Sequence, residues 1–158
     1  MEDNFDGVDT RRTIEELEGI YWPEPAEERK SNIVLKSNAL RKKPLKELGI
    51  EDIRVGLVQQ VGIIYIVRIA IDLLTHDPML ESLNYEGEIL EALLNLPRSF
   101  WLRQPLLAAE VDKLYERFEQ LISDMRDSWK EICLPDIIEA YGRFRGSKPS
   151  RKWLRSEA

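Results

Sequence analysis

The chain has 158 residues, of which 43% are hydrophobic and 33% are charged, and its formal net charge is −6. This composition excludes an intrinsically disordered chain, and the lack of an uncharged apolar run of about 18 residues excludes a transmembrane helix. The length predicts a single globular domain that buries about two-thirds of the surface of its unfolded chain.

The charges are unevenly distributed along the chain. Residues 1–30 carry ten carboxylates against four basic side chains, and residues 31–142 carry eighteen against thirteen. Residues 143–158 reverse the sign, with six basic side chains against one carboxylate. An acidic body repels phosphate backbones and attracts basic proteins, so the pattern favours a basic protein partner over nucleic acid.

The N-terminal sequence MEDNFDGVDT is acidic and has neither a basic start nor an apolar stretch. It therefore does not match a secretory signal or a transit peptide, and we expect a cytoplasmic protein. Residues 1–12 are predicted to be a flexible acidic N-terminus. Thr13 stands three residues before Glu16, the spacing of a capping box, and Gly19 is placed to end the short helix that follows.

Trp22-Pro-Glu-Pro is predicted to be a loop, because its two prolines favour extended geometry. We expect Trp22 to pack onto the body; a ligand contact is the alternative. A helix is predicted over residues 31–40, with Pro44 limiting its extension. The basic cluster 41–43 that ends it is expected to complement the helix dipole and remain hydrated, a phosphate site being the alternative.

A helix is predicted from about 51 to 60, and Gly62 separates it from the most apolar stretch of the chain. Residues 63–74 are predicted to form a central buried helix. The run IIYIV within this stretch is also compatible with a strand, but the apolar pattern continues for about three helical turns, longer than a usual strand. Asp77-Pro78 is predicted to end the helix.

After a polar loop at 82–87, four apolar residues predict a helix that ends before Pro97: Ile89, Leu90, Leu93 and Leu94. The next turn is expected to insert Phe100 and Trp101 into the core. The clearest amphipathic pattern predicts a helix from about 105 to 124, which residues 123–134 are able to extend until Pro135 stops it. A last short helix is predicted over 136–144.

The predicted fold is therefore all-α, a compact single-domain bundle of about six to eight helices. Its domain is expected to span residues 13–145, followed by a basic flexible tail at 146–158.

Catalytic chemistry has few candidate residues in this chain. Cys133 is the only cysteine and His76 the only histidine, which excludes an internal disulfide and thiolate-rich metal sites. We expect Cys133 to be a small core residue and His76 to cap the end of a helix. Phosphate-binding glycine loops are missing, and the carboxylates of residues 81–91 do not have EF-hand spacing. The sequence predicts no catalytic residue, no metal and no cofactor, and hence no enzyme.

The chain resembles the immunity proteins of bacterial contact-dependent growth inhibition (CDI) systems. The resemblance covers roughly residues 13–122, and none of the segments that carry it is catalytic. These segments are TIEELEG at 13–19, WPEP at 22–25, LRKKPL at 40–45, EDIR at 51–54, QQVGIIYIVRIAIDLL at 59–74, NYEGEILEALL at 84–94 and PRSFW at 97–101.

The resemblance implies a protein that binds the C-terminal domain of a cognate toxin and blocks its active site or an essential surface. From the acidic body and the lack of a long apolar run, we expect neither nucleic acid nor a membrane as partner. Such toxins are often nucleases, whose basic faces an acidic inhibitor is able to cover. In the candidate toxin-facing patch, acidic residues surround an aromatic residue that serves as an anchor. The alternative interpretation is that these residues are only the polar start of a helix. The patch consists of Glu81, Tyr85, Glu86, Glu88 and Glu91.

The sequence is also compatible with two other functions. The basic C-terminal residues suggest a nucleic-acid-associated regulator, with Trp153 available to stack on a base. The basic residues concerned are Arg143, Arg145, Lys148, Arg151, Lys152 and Arg155. A small-molecule enzyme would need a polar pocket around Tyr65, Arg68 and Asp72. A simpler interpretation is that these residues are polar positions on a packed helix, with Arg68 and Asp72 paired across one turn.

Overall fold

The computed structural model describes residues 4–5 and 7–146. The described residues contain nine α-helices, which confirms the all-α prediction. They divide into two compact units, with the boundary between Ile69 and Ala70. The helices are α1 (Ile14–Glu18), α2 (Asn32–Arg41), α3 (Ile50–Gln59), α4 (Ile63–His76), α5 (Glu88–Leu94), α6 (Arg98–Arg103), α7 (Pro105–Leu121), α8 (Asp127–Ile132) and α9 (Leu134–Phe144).

Shorter elements lie before and between these helices. Two short strands, β1 (Asn4–Phe5) and β2 (Val8–Asp9), pair antiparallel. The connections also contain three turns of 3-10 helix, at Glu27–Arg29, Leu45–Glu47 and Ile122–Asp124. Beyond β2, the carbonyl oxygen of Thr10 accepts a hydrogen bond from Lys46 N at 2.9 Å. The predicted domain boundaries, including the one at residue 12, stay predictions.

The first helix of the first unit begins and ends as its sequence indicates. Thr13 Oγ1 accepts a hydrogen bond from Glu16 N at 3.1 Å and donates one to the Glu16 carboxylate at 3.2 Å. Gly19 ends α1 in the left-handed conformation, with φ +71°. The helix signals at both ends are therefore confirmed.

Glycines allow close packing in the first unit. A Cβ atom on Gly56 of α3 would lie 3.0 Å from Ile66 Cγ1 on α4, so the helices approach as closely as this glycine permits. Gly62 separates α3 from α4 at φ +58°, and a Cβ there would lie 2.7 Å from Ile14 Cδ1. The predicted helix break at Gly62 is confirmed, and the same residue admits the side chain of Ile14 into the core.

The prediction that the basic cluster 41–43 remains hydrated is wrong for Arg41. Only 2% of this residue is exposed, while Lys42 and Lys43 are exposed. Its guanidinium donates hydrogen bonds to the Glu18 carboxylate and to the carbonyl oxygen of Ile20, both more than 20 residues away in sequence. Arginine tolerates burial where such acceptors match its planar fork, and no local pattern reveals that match.

The Trp22 ring packs against the guanidinium of Arg41. The Arg41 Cζ atom lies 4.2 Å from the centroid of the Trp22 ring. The expected packing of Trp22 onto the body is therefore present on one face, but 37% of the residue remains exposed. Trp22 is thus a partly exposed residue rather than a buried anchor.

Aromatic side chains form much of the core of the second unit. Tyr115 of α7 and Tyr141 of α9 stack with ring centroids 3.6 Å apart, and Phe118 meets Trp129 of α8 edge-to-face at 5.9 Å. Phe100 and Trp101 are buried, as the sequence predicted, and Trp101 also contacts Phe144. These contacts pack α7, α8 and α9 together within this unit.

The helix pattern between residues 105 and 144 differs from the prediction in two ways. Helix α7 ends at Leu121, and Met125 is extended, with ψ 152°, so that α8 is a separate helix rather than an extension. Pro135 does not stop a helix, because it lies in the first turn of α9, where its missing N–H has no helical partner to lose. The separate α8 raises the number of helices above the predicted six to eight.

Candidate partner-binding site

The loop before α5 and the start of that helix carry the predicted partner-facing residues, here called the acidic corner (Glu81, Tyr85, Glu86, Glu88 and Glu91). Glu81 and Glu86 pair through an isolated antiparallel bridge, and Gly87 N donates to the carbonyl oxygen of Leu80 at 3.2 Å. Gly87 adopts φ +88°, which a side chain would strain. The loop therefore closes on itself and brings these residues together.

Glu88 is the buried member of the acidic corner, with only 8% of the residue exposed. Its carboxylate accepts hydrogen bonds from Ser82 Oγ, from Asn84 N at 3.3 Å and from Asn84 Nδ2 at 2.8 Å. Hydrogen bonds to a charged acceptor are the stronger ones in proteins. Glu88 therefore fixes the loop from below and is not placed to contact a partner.

Glu86 connects the loop to α8. Both oxygens of its carboxylate accept from the Arg126 guanidinium, at 2.8 and 3.0 Å, and its carbonyl oxygen accepts from Trp129 Nε1 at 2.9 Å. The hydrogen bond from Arg126 holds the pKa of Glu86 below its ordinary value. The charge of Glu86 is thus largely balanced inside the chain, while its geometry is fixed.

Tyr85 and Glu91 form the half-buried centre of the corner. The Tyr85 hydroxyl donates a hydrogen bond to the Glu91 carboxylate. Burial raises the pKa of Glu91, the bond from Tyr85 opposes this shift, and the nearby carboxylates of Asp136 and Glu88 add to it. Burial, followed by the bond to Glu91, raises the pKa of the Tyr85 hydroxyl. A cation close to Glu91 would oppose this shift, because it favours the ionised carboxylate.

Exposed residues lie on the same loop and on α8. Glu81 is exposed, and the same loop exposes the apolar side chain of Leu83. On α8, Ile132 is exposed, and the adjacent Cys133 is half-buried rather than the core residue expected, because it lies at the junction of α8 and α9. Burial raises the pKa of the Cys133 thiol. Carboxylates around exposed aliphatic side chains are suited to contact with a protein.

Sequence reasoning did not find the α8 side of this site. Arg126 and Trp129 bond to Glu86 across 40 and 43 residues of sequence. A single sequence contains no signal of such a pairing, since neither residue belongs to a local motif. By contrast, the contacts of Tyr85 and Glu88 lie within seven residues along the chain and were near enough for the sequence to group them.

The residues of the alternative functions lie elsewhere. His76 ends α4, with Nδ1 2.9 Å from the carbonyl oxygen of Asp72, as expected for a helix-end residue. Arg143 bonds to Asn95 Oδ1 at 2.7 Å, and Arg145 pairs with Asp112 at 3.1 Å. The other proposed nucleic-acid contacts lie outside the described residues: Lys148, Arg151, Lys152, Trp153 and Arg155.

The polar residues that a small-molecule site would need lie on α4. Tyr65, Arg68 and Asp72 are all half-buried on this helix. The pairing of Arg68 with Asp72 stays a prediction.

Residues 4–5 and 7–146 contain neither a metal-binding cluster nor a helix able to span a membrane. No group of histidine, cysteine and carboxylate side chains in this part of the chain is arranged to hold a metal ion. None of the helices found there combines the length and the apolar character that crossing a membrane requires.

Comparison with known proteins identifies the family. No curated protein and no solved structure matches the chain. The sequence profile of CDI immunity proteins matches residues 16–111, more than half of the chain, and this confirms the resemblance seen in the sequence. The chain therefore belongs to the family of CDI immunity proteins.

Proposed function

We propose that this protein neutralises a cognate CDI toxin by binding its C-terminal domain directly, with the acidic corner facing a basic surface of a nuclease-type toxin. The observation that carries the proposal is a set of carboxylates grouped around Tyr85 on a loop with fixed geometry. Membership of the immunity family supports the toxin as partner. The acidic balance of the chain supports a partner that is basic, as a nuclease active face is.

The fixed geometry of the loop favours tight binding. The buried carboxylate of Glu88 holds residues 82–84, and the bonds of Glu86 to Arg126 and Trp129 hold the other strand of the loop. A surface ordered before binding loses little conformational entropy when the complex forms. The corner is therefore a preorganised surface, which the toxin would meet without rearranging it.

The charges of the corner contribute mainly to recognition and association. Glu81 is exposed, Glu91 lies beside the carboxylate of Asp136, and the approach of a basic face would relieve the repulsion between these acids. Such complementarity raises the association rate constant and suppresses binding to acidic competitors. Tyr85 would then supply the central contact area.

A titration of the full chain with the toxin domain encoded directly upstream of its gene tests the proposal. We expect stoichiometric binding that abolishes toxin activity, measured by calorimetry and by a toxicity assay. The absence of both binding and protection would overturn the assignment of this toxin as the partner.

A pair of charge reversals tests the acidic corner itself. Glu81→Lys places a positive charge on the exposed loop, and Glu116→Lys makes the same change in net charge on the exposed surface of α7. At low salt we expect Glu81→Lys to slow association about tenfold or more, and Glu116→Lys to have a much smaller effect. Equal effects of the two variants would contradict the corner as the toxin-facing surface, while leaving neutralisation by binding intact.

A further inference from the structure

An exposed aromatic segment, residues 20–22, lies in the first unit. Its three consecutive residues Ile20, Tyr21 and Trp22 are 56, 64 and 37% exposed. Soluble proteins rarely expose large apolar side chains next to one another unless they serve an interaction. Tyrosine and tryptophan are also the residues that most often dominate the energy of protein interfaces.

The segment has a fixed conformation. Arg41 donates a hydrogen bond to the carbonyl oxygen of Ile20, and its guanidinium stacks on the Trp22 ring. Pro23 and Pro25 restrict the backbone that follows. A buried arginine, anchored also by Glu18, thus presents apolar side chains to solvent without the entropy of a free loop.

The surroundings of the segment are acidic. Residues 13–28 contain six carboxylates and no lysine or arginine. Glu24 and Glu28 are exposed, and no ion pair in the described part of the chain involves either of them. An apolar centre with an acidic border fits an apolar patch bordered by lysine and arginine, whereas a second copy of this chain would bring like charges together.

We propose that the exposed aromatic segment is a second contact surface for the toxin domain, with Tyr21 as its central side chain. The inference rests on the proposed function, because it takes the toxin as the basic partner. It assigns apolar binding energy to residues of the first unit.

The test compares Tyr21→Ala with the wild-type full chain in titrations with the cognate toxin domain. Tyr21 is largely exposed and the contacts of Arg41 use its neighbours, so the variant is expected to keep the wild-type unfolding temperature. We expect its affinity for the toxin to fall at least about 30-fold, as for a central interface residue. The fall should persist at high salt, because it comes from apolar contact area.

Leu106→Ala is the matched control, since Leu106 is an apolar residue of α7 that is 83% exposed. We expect its affinity to stay within about threefold of wild type. If wild type binds the toxin and Tyr21→Ala binds equally well, the segment is not a toxin contact, although the proposed function stands. If wild type does not bind the toxin, both proposals fail. A loss of self-association in Tyr21→Ala, without loss of toxin affinity, would assign the segment to a second copy and overturn the inference.

Discussion

Replacement of Arg41 by methionine tests whether this buried cation stabilises the first unit. Methionine keeps much of the aliphatic volume and removes the guanidinium, with its bonds to Glu18 and Ile20 and its contact with Trp22. Loss of one partner from a buried ion pair usually costs about 3–5 kcal/mol, and a cation–π contact contributes about 0.5–2 kcal/mol.

Two features of the site place the expected loss below the sum of these terms. The Glu18 side chain is 28% exposed, so its carboxylate regains water when the guanidinium is removed. The Nε atom of Arg41 is buried without a hydrogen-bond partner in the described part of the chain, so its removal relieves an existing penalty. We therefore expect a loss of about 2–3 kcal/mol in the free energy of unfolding.

Urea denaturation followed by circular dichroism measures this loss. Lys42→Met is the matched control, because Lys42 is the next residue and is exposed. We expect the control to change the free energy of unfolding by less than about 0.5 kcal/mol. Equal stability of the two variants would refute the reasoning that burial and these bonds give Arg41 its energetic role.

Three further predictions concern backbone strain and protonation. Gly62→Ala should destabilise the protein by about 2 kcal/mol, since φ is +58° and the new Cβ would lie 2.7 Å from Ile14 Cδ1; thermal denaturation measures this. The hydrogen bond from Arg54 lowers the pKa of Glu51 from 4.5 to about 2. The stability that Glu51 contributes is present above pH 4.5 and should be lost as the pH falls toward 2, which acid titration of unfolding measures. Burial raises the pKa of Glu91, and a basic toxin would lower it again. In the pH range where Glu91 of the free protein titrates, binding should therefore release a proton and tighten as the pH rises, and both effects should vanish at higher pH; calorimetry in two buffers measures this.

Each of these predictions has a control. Gly49→Ala should cost clearly less than Gly62→Ala, because φ is −88° and the Cβ would meet only the Asp52 carboxylate, at 3.9 Å. The remaining cost is that of replacing glycine by alanine at the N-cap of α3. Glu51→Gln should flatten the acid dependence of stability, and an unchanged slope would contradict the role of this carboxylate. Glu91→Gln should abolish the proton release on binding; release that persists in this variant would have to come from another group.

Local sequence signals were sufficient for most helix boundaries. The cap of Thr13, the glycine at 19 and the Asp77-Pro78 step each act within a few residues, so the chain itself contains the information. Prediction failed where distant contacts decide the structure. Residues 123–134 fit the apolar period of α7, but Trp129 packs against Phe118 from a separate helix and bonds back to Glu86. Helical periodicity does not distinguish these two arrangements.

The sequence predicted which residues form the candidate site, but not which of them are buried or paired within the chain. The acids and Tyr85 are neighbours in sequence, so their grouping followed from the loop and the helix start. Burial of Glu88 follows from the loop folding over its side chain, which charge patterning does not reveal. Similarly, Glu86 is held by Arg126, the residue before α8 and 40 residues away in sequence, so counting acids overstated the charge that this surface offers to a partner.

Because Glu86 is paired with Arg126, the acids of the corner have different roles in recognition. Glu86 and Arg126 together carry no net charge, so the attraction that the corner exerts on a basic toxin comes chiefly from Glu81 and Glu91, with Asp136 beside Glu91. The role of Glu86 is to fix the loop that presents them. The double variant Glu86→Gln/Arg126→Gln, which removes both charges and keeps the net charge, should therefore raise the dissociation rate by loosening the surface, while the salt dependence of association stays close to wild type. Reversal of the exposed charge at position 81 should have the opposite signature, acting chiefly on the association rate and its dependence on salt.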